Sequence, residues 1–289
     1  MASPSTKTLD HIVHLTPPGT LDQGVSVFQN LGFTVSPGGT HAGGKTTNAL
    51  VVFEDGTYLE LLHFTAPPPE DDPNPWAHKR PGWIDFAFLG NGGTPSIAET
   101  INARADADGS GVHYAPEVRG GRTREDGKVL EWLISAPPGG ERGKLPFFCG
   151  DLTPRDWRVP LEPRSNSRHN NTARGVAHVK LLVPPEELTA TTKELTSVLG
   201  TSPFSSTLEE VVWRLDLQPS RVGPPSAIPV LKLRAAEDEE ETEYVRTHGP
   251  GIYEVAFIVA DSSQERGTET PYGRVVWVGA DSAVDLIVQ

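Results

Sequence analysis

A strand and helix order that returns within one chain is what most narrows the folds open to this sequence, because duplicated units must pair their sheets or bury their faces on one another. Leu9 to Leu15 is an apolar run holding two histidines, His11 and His14, and reads as a strand. From Leu21 to Leu31 the residues Val25, Phe28 and Leu31 stand at helical spacing, and Gly32 stops that helix before Phe33-Thr34-Val35 resumes extended structure. A Gly-rich loop from Pro37 to Lys45 leads to a strand at Ala49 to Phe53. Glu54-Asp55-Gly56 makes a tight turn, and Tyr58 to Phe64 is the next strand. The order is β-α-β-β-β.

The order then recurs. Trp83 to Leu89 reads as a strand, Ser96 to Arg104 as a short helix, and His113-Tyr114, Val129 to Ser135 and Leu145 to Cys149 as three more strands. A polar, Pro-containing stretch from Asp151 to Arg174 reads as a linker. Beyond it the pattern returns: a strand at Gly175 to Val183, an amphipathic helix opened by Pro185-Glu186-Glu187, and strands at Val211 to Leu217 and Val230 to Leu233. A partial copy, Gly251 to Val288, closes the chain, and its segment Asp261 to Thr270 is too polar and short for a convincing helix. With 289 residues, and domains of roughly 100 to 200 residues being usual, two domains are expected. The boundaries are 1 to 150 for the first, 151 to 174 for the linker, and 175 to 289 for a second, degenerate domain. The fold class is α+β; the 29 Gly and 27 Pro favour turns and short strands over a helical bundle.

Charge and cysteine use limit the partners. A formal net charge of −13 with no compact basic patch argues against nucleic acid. The acidic run Glu237-Asp238-Glu239-Glu240-Glu241 reads as a solvated loop or helix start. No apolar run approaches the ~20 residues needed to cross a bilayer, and the polar start carries no apolar signal core. The single Cys149 forbids an intramolecular disulfide and fits a reducing compartment, so the cytoplasm is the expected location. Following Phe147-Phe148 in apolar sequence, that thiol is expected to be buried and not a nucleophile. A small molecule is the expected partner, and a homodimer is left open.

Three segments carry a resemblance: Leu9-Asp10-His11-Ile12-Val13, the loop Gly38-Gly39-Thr40-His41 running on to Thr47-Asn48, and Tyr58-Leu59-Glu60-Leu61. With Gly127 to Trp132 and Leu145-Pro146-Phe147-Phe148, they resemble the glyoxalase-like domain of the vicinal oxygen chelate superfamily over roughly residues 8 to 150. The resemblance implies paired βαβββ modules forming open half-barrels, in two such domains. It also implies a divalent metal ion that chelates two adjacent substrate oxygens in a lyase or isomerase reaction. The competing expectation is a non-catalytic small-molecule binding or resistance protein of the same fold.

Carried over residue by residue, the resemblance makes His11 and Glu60 metal ligands and places Asp85, in Trp83-Ile84-Asp85-Phe86, as a third. Cys149 and Gly150 stand where a fourth would be, and neither suits a hard ion. Read without the family, a His and a Glu within apolar strands need partners when buried, and hydrogen bonds to each other or to water would also satisfy them. His41 is the expected base or hydrogen-bond donor and Glu60 its catalytic companion. Expected substrate contacts are His41, Asn48, Trp83, Trp132, Phe147 and Phe148. Strand alternation puts His14 and His63 on the faces opposite His11 and Glu60. In the second domain His178 aligns with His11, Asp285 loosely with Glu60, and either Tyr253 or Glu254 faces inward.

Overall fold

The structure, a computed structural model, describes residues 4–222, 227–260 and 266–285. The first module comprises β1 (Leu9–Leu15), α1 (Leu21–Asn30), β2 (Ser36–His41), β3 (Thr46–Val52) and β4 (Tyr58–Phe64). The second comprises β5 (Gly82–Leu89), α2 (Ile97–Asp108), β6 (Val118–Thr123), β7 (Val129–Ser135) and β8 (Phe147–Asp151). The eight strands close into one barrel in the order β1-β4-β3-β2-β6-β7-β8-β5. The two modules therefore meet along two seams, β1 with β5 and β2 with β6. Helix α2 is cut to length by its caps: Ser96 accepts from Glu99 N–H at the start, and Gly109 adopts φ 66° at the end.

Two strands differ from the sequence reading. The Gly-rich segment taken as a loop contains β2, and the strand expected at His113-Tyr114 is irregular chain, with β6 following it. Both new strands carry a Gly-Gly pair, which depresses intrinsic strand propensity, and both are strands because each pairs with the other across a seam. A Cβ on Gly39 would stand 2.5 Å from the Thr123 carbonyl oxygen, so glycine is what lets the seam close.

Short helix α3 (Arg155–Arg158) lies within the expected linker. It is no loose tether, because Arg158 is 3% exposed and ion-paired with Asp10 and Asp151. There follow β9 (Ala173–Val183), α4 (Leu188–Leu199), β10 (Ser205–Ser206), β11 (Glu210–Arg214), β12 (Val230–Ala235) and α5 (Glu239–His248). The last elements are β13 (Gly251–Val259), β14 (Arg266–Thr270), β15 (Gly273–Gly279) and α6 (Ala280–Asp285). Asp238 caps α5 through Glu241 N–H, so the acidic run is a helix start whose carboxylates meet the positive end of the dipole. Residues 261–265 of the doubtful helical segment lie outside the described residues, and Arg266–Thr270 is strand. Asp285 ends helix α6 and not a strand, so it does not occupy the place of Glu60.

These later strands form one open seven-stranded sheet, β10-β11-β12-β9-β13-β15-β14, and not a second closed barrel. One apolar core joins it to the outside of the barrel and its helices: Phe28, Phe33, Phe53 and Phe86 share a cluster with Val179, Trp213, Phe257 and Trp277. Phe33 stacks on Trp277 at 5.4 Å between centroids. Asp55, in the β3–β4 turn, accepts from Val176 N–H at 2.9 Å, where Gly175 leaves the space its carboxylate fills. No helix among the described residues is long and apolar enough to cross a membrane.

Candidate active site

The barrel interior holds a cavity of about 410 Å³ whose lining includes His11, His41, Asn48, Glu60, Trp132 and Phe147. This is the size range of small-molecule sites. His11 enters from β1. Its ring stacks on Tyr58 at 4.6 Å and meets the edge of Phe147 at 5.3 Å. Behind it the carboxylate of Asp10, fully buried, accepts from Nδ1–H at 2.7 Å. On the other side of the ring, Nε2 faces Glu60 Oε2 at 3.7 Å. Consecutive residues of a regular strand point to opposite faces, so this contact needs the register slip that separates Leu9 from His11 in the β1–β5 ladder.

Glu60, on β4, is 5% exposed. Burial alone would raise its carboxyl, but the hydrogen bond and charge of His41, the charge of His11 and the Asn48 amide bring it down to about 2. Asn48 Nδ2–H donates to Oε1 at 2.6 Å, and His41 Nε2 lies 3.3 Å from the same oxygen. The Asn48 amide is turned by Arg122, whose Nη1–H donates to Oδ1 at 2.8 Å. A Cβ on Gly38 would collide with both Asn48 Oδ1 and Arg122 Nη1, so this relay requires glycine on β2. Arg155 and Arg158 grip Asp10 at 2.6 and 2.7 Å, and although burial opposes ionisation, their charges and the His11 hydrogen bond hold its carboxyl well below the usual range.

Not every expected site residue reaches the cavity. Asp85 is not placed as a ligand. Its Oδ2 accepts from Trp76 Nε1 at 2.7 Å and is clamped by Arg142 at 2.6 and 2.7 Å, a buried ion pair that pins the connection between β4 and β5 to the barrel. Trp83 does not line the cavity: the register slips between Val13 and His14, which turns Trp83 outward against His14 and Phe28, with its Nε1–H on the Arg274 carbonyl. Phe148 also points outward, packing on Phe88 and Tyr114, as alternation from Phe147 requires. His14 lies in that outer core, and His63 accepts from Gly19 N–H. Cys149 is buried, and burial pushes its thiol up.

Asp10, Arg122, Arg155, Arg158 and Trp76 were missed. The one legible signal was the pair of arginines four and seven residues after Asp151, within a stretch read only as linker. A divalent ion of the kind implied by the resemblance would find two donors in place, His11 Nε2 and Glu60 Oε2, the imidazole backed by a carboxylate as metal-bound histidines are. Among the described residues no group of three or more His, Cys, Asp or Glu side chains is gathered to complete such a site.

An eight-stranded barrel of two βαβββ modules with an inward His and Glu defines a protein of the vicinal oxygen chelate superfamily. More narrowly, residues 9–196 match the model of the glyoxalase-like domain, and the chain belongs to that family. No curated protein matches it. Among solved structures it is similar to a hypothetical protein from Staphylococcus aureus, at 11% identity and a TM-score of 0.65, covering 94% of this chain and 99% of that one. It is also similar to a mutant of 4-hydroxymandelate synthase from Streptomyces coelicolor, at 14% identity, TM-score 0.51, and 89% and 72% coverage. A third is the Mn(II)-bound glyoxalase from Novosphingobium aromaticivorans, at 13% identity, TM-score 0.50, and 96% and 83% coverage. At such identities the likeness establishes the fold.

Proposed function

We propose that the barrel is the active site of a glyoxalase-like lyase or isomerase acting on a small molecule with two adjacent oxygens. The supporting observation is the opposition of His11 Nε2 and Glu60 Oε2, 3.7 Å apart in the 410 Å³ cavity, each held from behind. With the imidazole neutral, its Nε2 lone pair and the carboxylate face one another and make a seat for a cation. A divalent ion bound there would act as a Lewis acid on the substrate oxygens.

The chain's own groups divide the remaining work. A carboxyl held at about 2 is a weak proton acceptor at neutral pH, so Glu60 serves to hold positive charge and to orient His41. His41, with Nδ1 on Thr46 Oγ1 at 2.9 Å and Nε2 toward Glu60, is the group that moves a proton. Trp132, Phe147, Trp76 and Tyr58 wall the cavity, exclude water and orient the substrate, while Asn48 fixes Glu60. We read the chain as two domains of this type, 1 to 150 and 175 to 289, the second without the acid–base set.

The shortage of converging donors favours a second reading, a binding protein without turnover. Calorimetry with Mn²⁺, Zn²⁺ and Ni²⁺ on the wild type and Glu60→Gln separates the two. Binding that the variant loses supports the enzyme, whereas negligible binding by both forms removes the ion seat and leaves the binding protein.

A further inference from the structure

The second sheet repeats the register of the barrel with the charge reversed at one position. In the barrel Val13, two residues after His11, stands beside Glu60 on β4 and Asp85 on β5. In the sheet Lys180, two residues after His178, stands beside Lys232 on β12 and Glu254 on β13. Lys232 therefore holds the place of Glu60, and Glu254 that of Asp85. Arg274 on β15 is the next partner along the row, beside Glu254.

Directly paired residues share a sheet face. Here it is the face opposite Val179, Leu231, Leu233 and Val255, which belong to the core. Glu254, 3% exposed, is shared by three groups: His178 Nε2 at 2.8 Å, Lys180 Nζ at 3.1 Å and Arg274 Nε at 2.9 Å. Arg274 also reaches the exposed Glu269 at 3.0 Å. The Lys232 side chain has no hydrogen bond or ion pair among the described residues; Glu210 and Glu254 act on it only at a distance, and Lys180 directly opposite repels it. Like charges directly opposed on neighbouring strands destabilise a sheet, and a counter-charge between them offsets the repulsion. The heads are reachable, since the Lys180 side chain is 18% and that of Arg274 34% exposed.

We infer that Lys232 and Lys180, with Arg274 at the flank, form a binding site for a phosphate group, free or carried by a small molecule, on the outer face of the second sheet. Two ammonium heads on adjacent strands reach different oxygens of one tetrahedral dianion through charge-assisted hydrogen bonds, and Glu254 keeps Lys180 and Arg274 oriented from below. The site is independent of the barrel cavity and of its chemistry.

The test titrates the full chain with inorganic phosphate, glycerol phosphate and acetate by calorimetry. Saturable binding of one or both phosphates, with acetate weaker, is expected. Lys232→Met should weaken it by at least about tenfold. The two phosphate arms tell free ion from ester. No saturable binding, equal binding by wild type and variant, or acetate binding as tightly as phosphate would each overturn the assignment. Should Lys232→Met fail to fold, Lys180→Gln and the imidazole NMR signals of His178 in the wild type take its place; a His178 signal unmoved by phosphate counts against the site.

Discussion

Asp10 and His11 are neighbours in sequence and hydrogen-bonded to one another at 2.7 Å inside the barrel, a contact that a regular strand forbids and a slipped register permits. Their pairing orients the imidazole, with Nδ1 toward Asp10 and Nε2 toward Glu60. It also ties the site to Arg155 and Arg158 on helix α3, some 145 residues along the chain by the spacing of Asp10 and Arg155.

Asp10→Asn is therefore expected to act on both stability and site. It leaves Arg155 and Arg158 without their buried carboxylate, and removing one partner of a buried ion pair typically costs ~3–5 kcal/mol. Urea unfolding should show a midpoint well below wild type. An unchanged midpoint would mean that Asp151 alone satisfies both arginines.

Asp85→Asn separates anchor from ligand. The loss of the Arg142 pair should lower stability by a similar ~3–5 kcal/mol and loosen Trp76, while any Zn²⁺ affinity measured by calorimetry stays within about twofold of wild type. Intact stability with lost ion binding is the opposite pattern and would restore Asp85 as a ligand.

The buried histidines give a pH dependence of definite sign. Burial lowers His14 to about 3 and His169 to about 4, against an ordinary value of 6.5. Below pH 6.5 the unfolded chain takes up protons that the folded chain refuses, so stability is full above 6.5 and falls as the pH drops from there toward 4 and 3. Glu60 and Glu254, lowered to about 2, add their own loss only below their ordinary 4.5. Urea midpoints taken between neutral pH and 4.5 thus report the histidines against an opposing contribution from Asp55, whose carboxyl burial raises to about 6. His14→Phe, which keeps the aromatic packing on Phe28 and Trp83, should flatten the slope there, and an unaltered slope would clear His14 of the effect.

Cys149 should resist thiol reagents in the native protein. It is 3% exposed in the barrel wall, and burial followed by the nearby carboxylates of Asp10 and Asp151 disfavours its thiolate. Labelling at neutral pH is expected to track unfolding, being slow in buffer and complete in urea. Rapid stoichiometric modification of the folded chain would contradict this.

Apolar periodicity and turn residues were enough to mark most of the barrel's strands and both of its helices, and the family resemblance, with the need of buried polar groups for partners, singled out His11 and Glu60. These signals are local: each depends on residues within a few positions of one another. Strands β2 and β6, by contrast, are glycine-rich and weak by themselves, and become strands by pairing at the seam. Two register slips in the β1–β5 ladder set the facing of Asp10 and Trp83, since a shift of one residue reverses every side chain beyond it. Asp85 reads as a ligand until Arg142, 57 residues away, is found upon it. What the sequence determined by itself is thus the repeating module and its inward His and Glu. Only the tertiary structure decided how the modules close, which carboxylates remain available to the cavity, and that the second sheet stays open, because those depend on pairing between segments far apart in the chain.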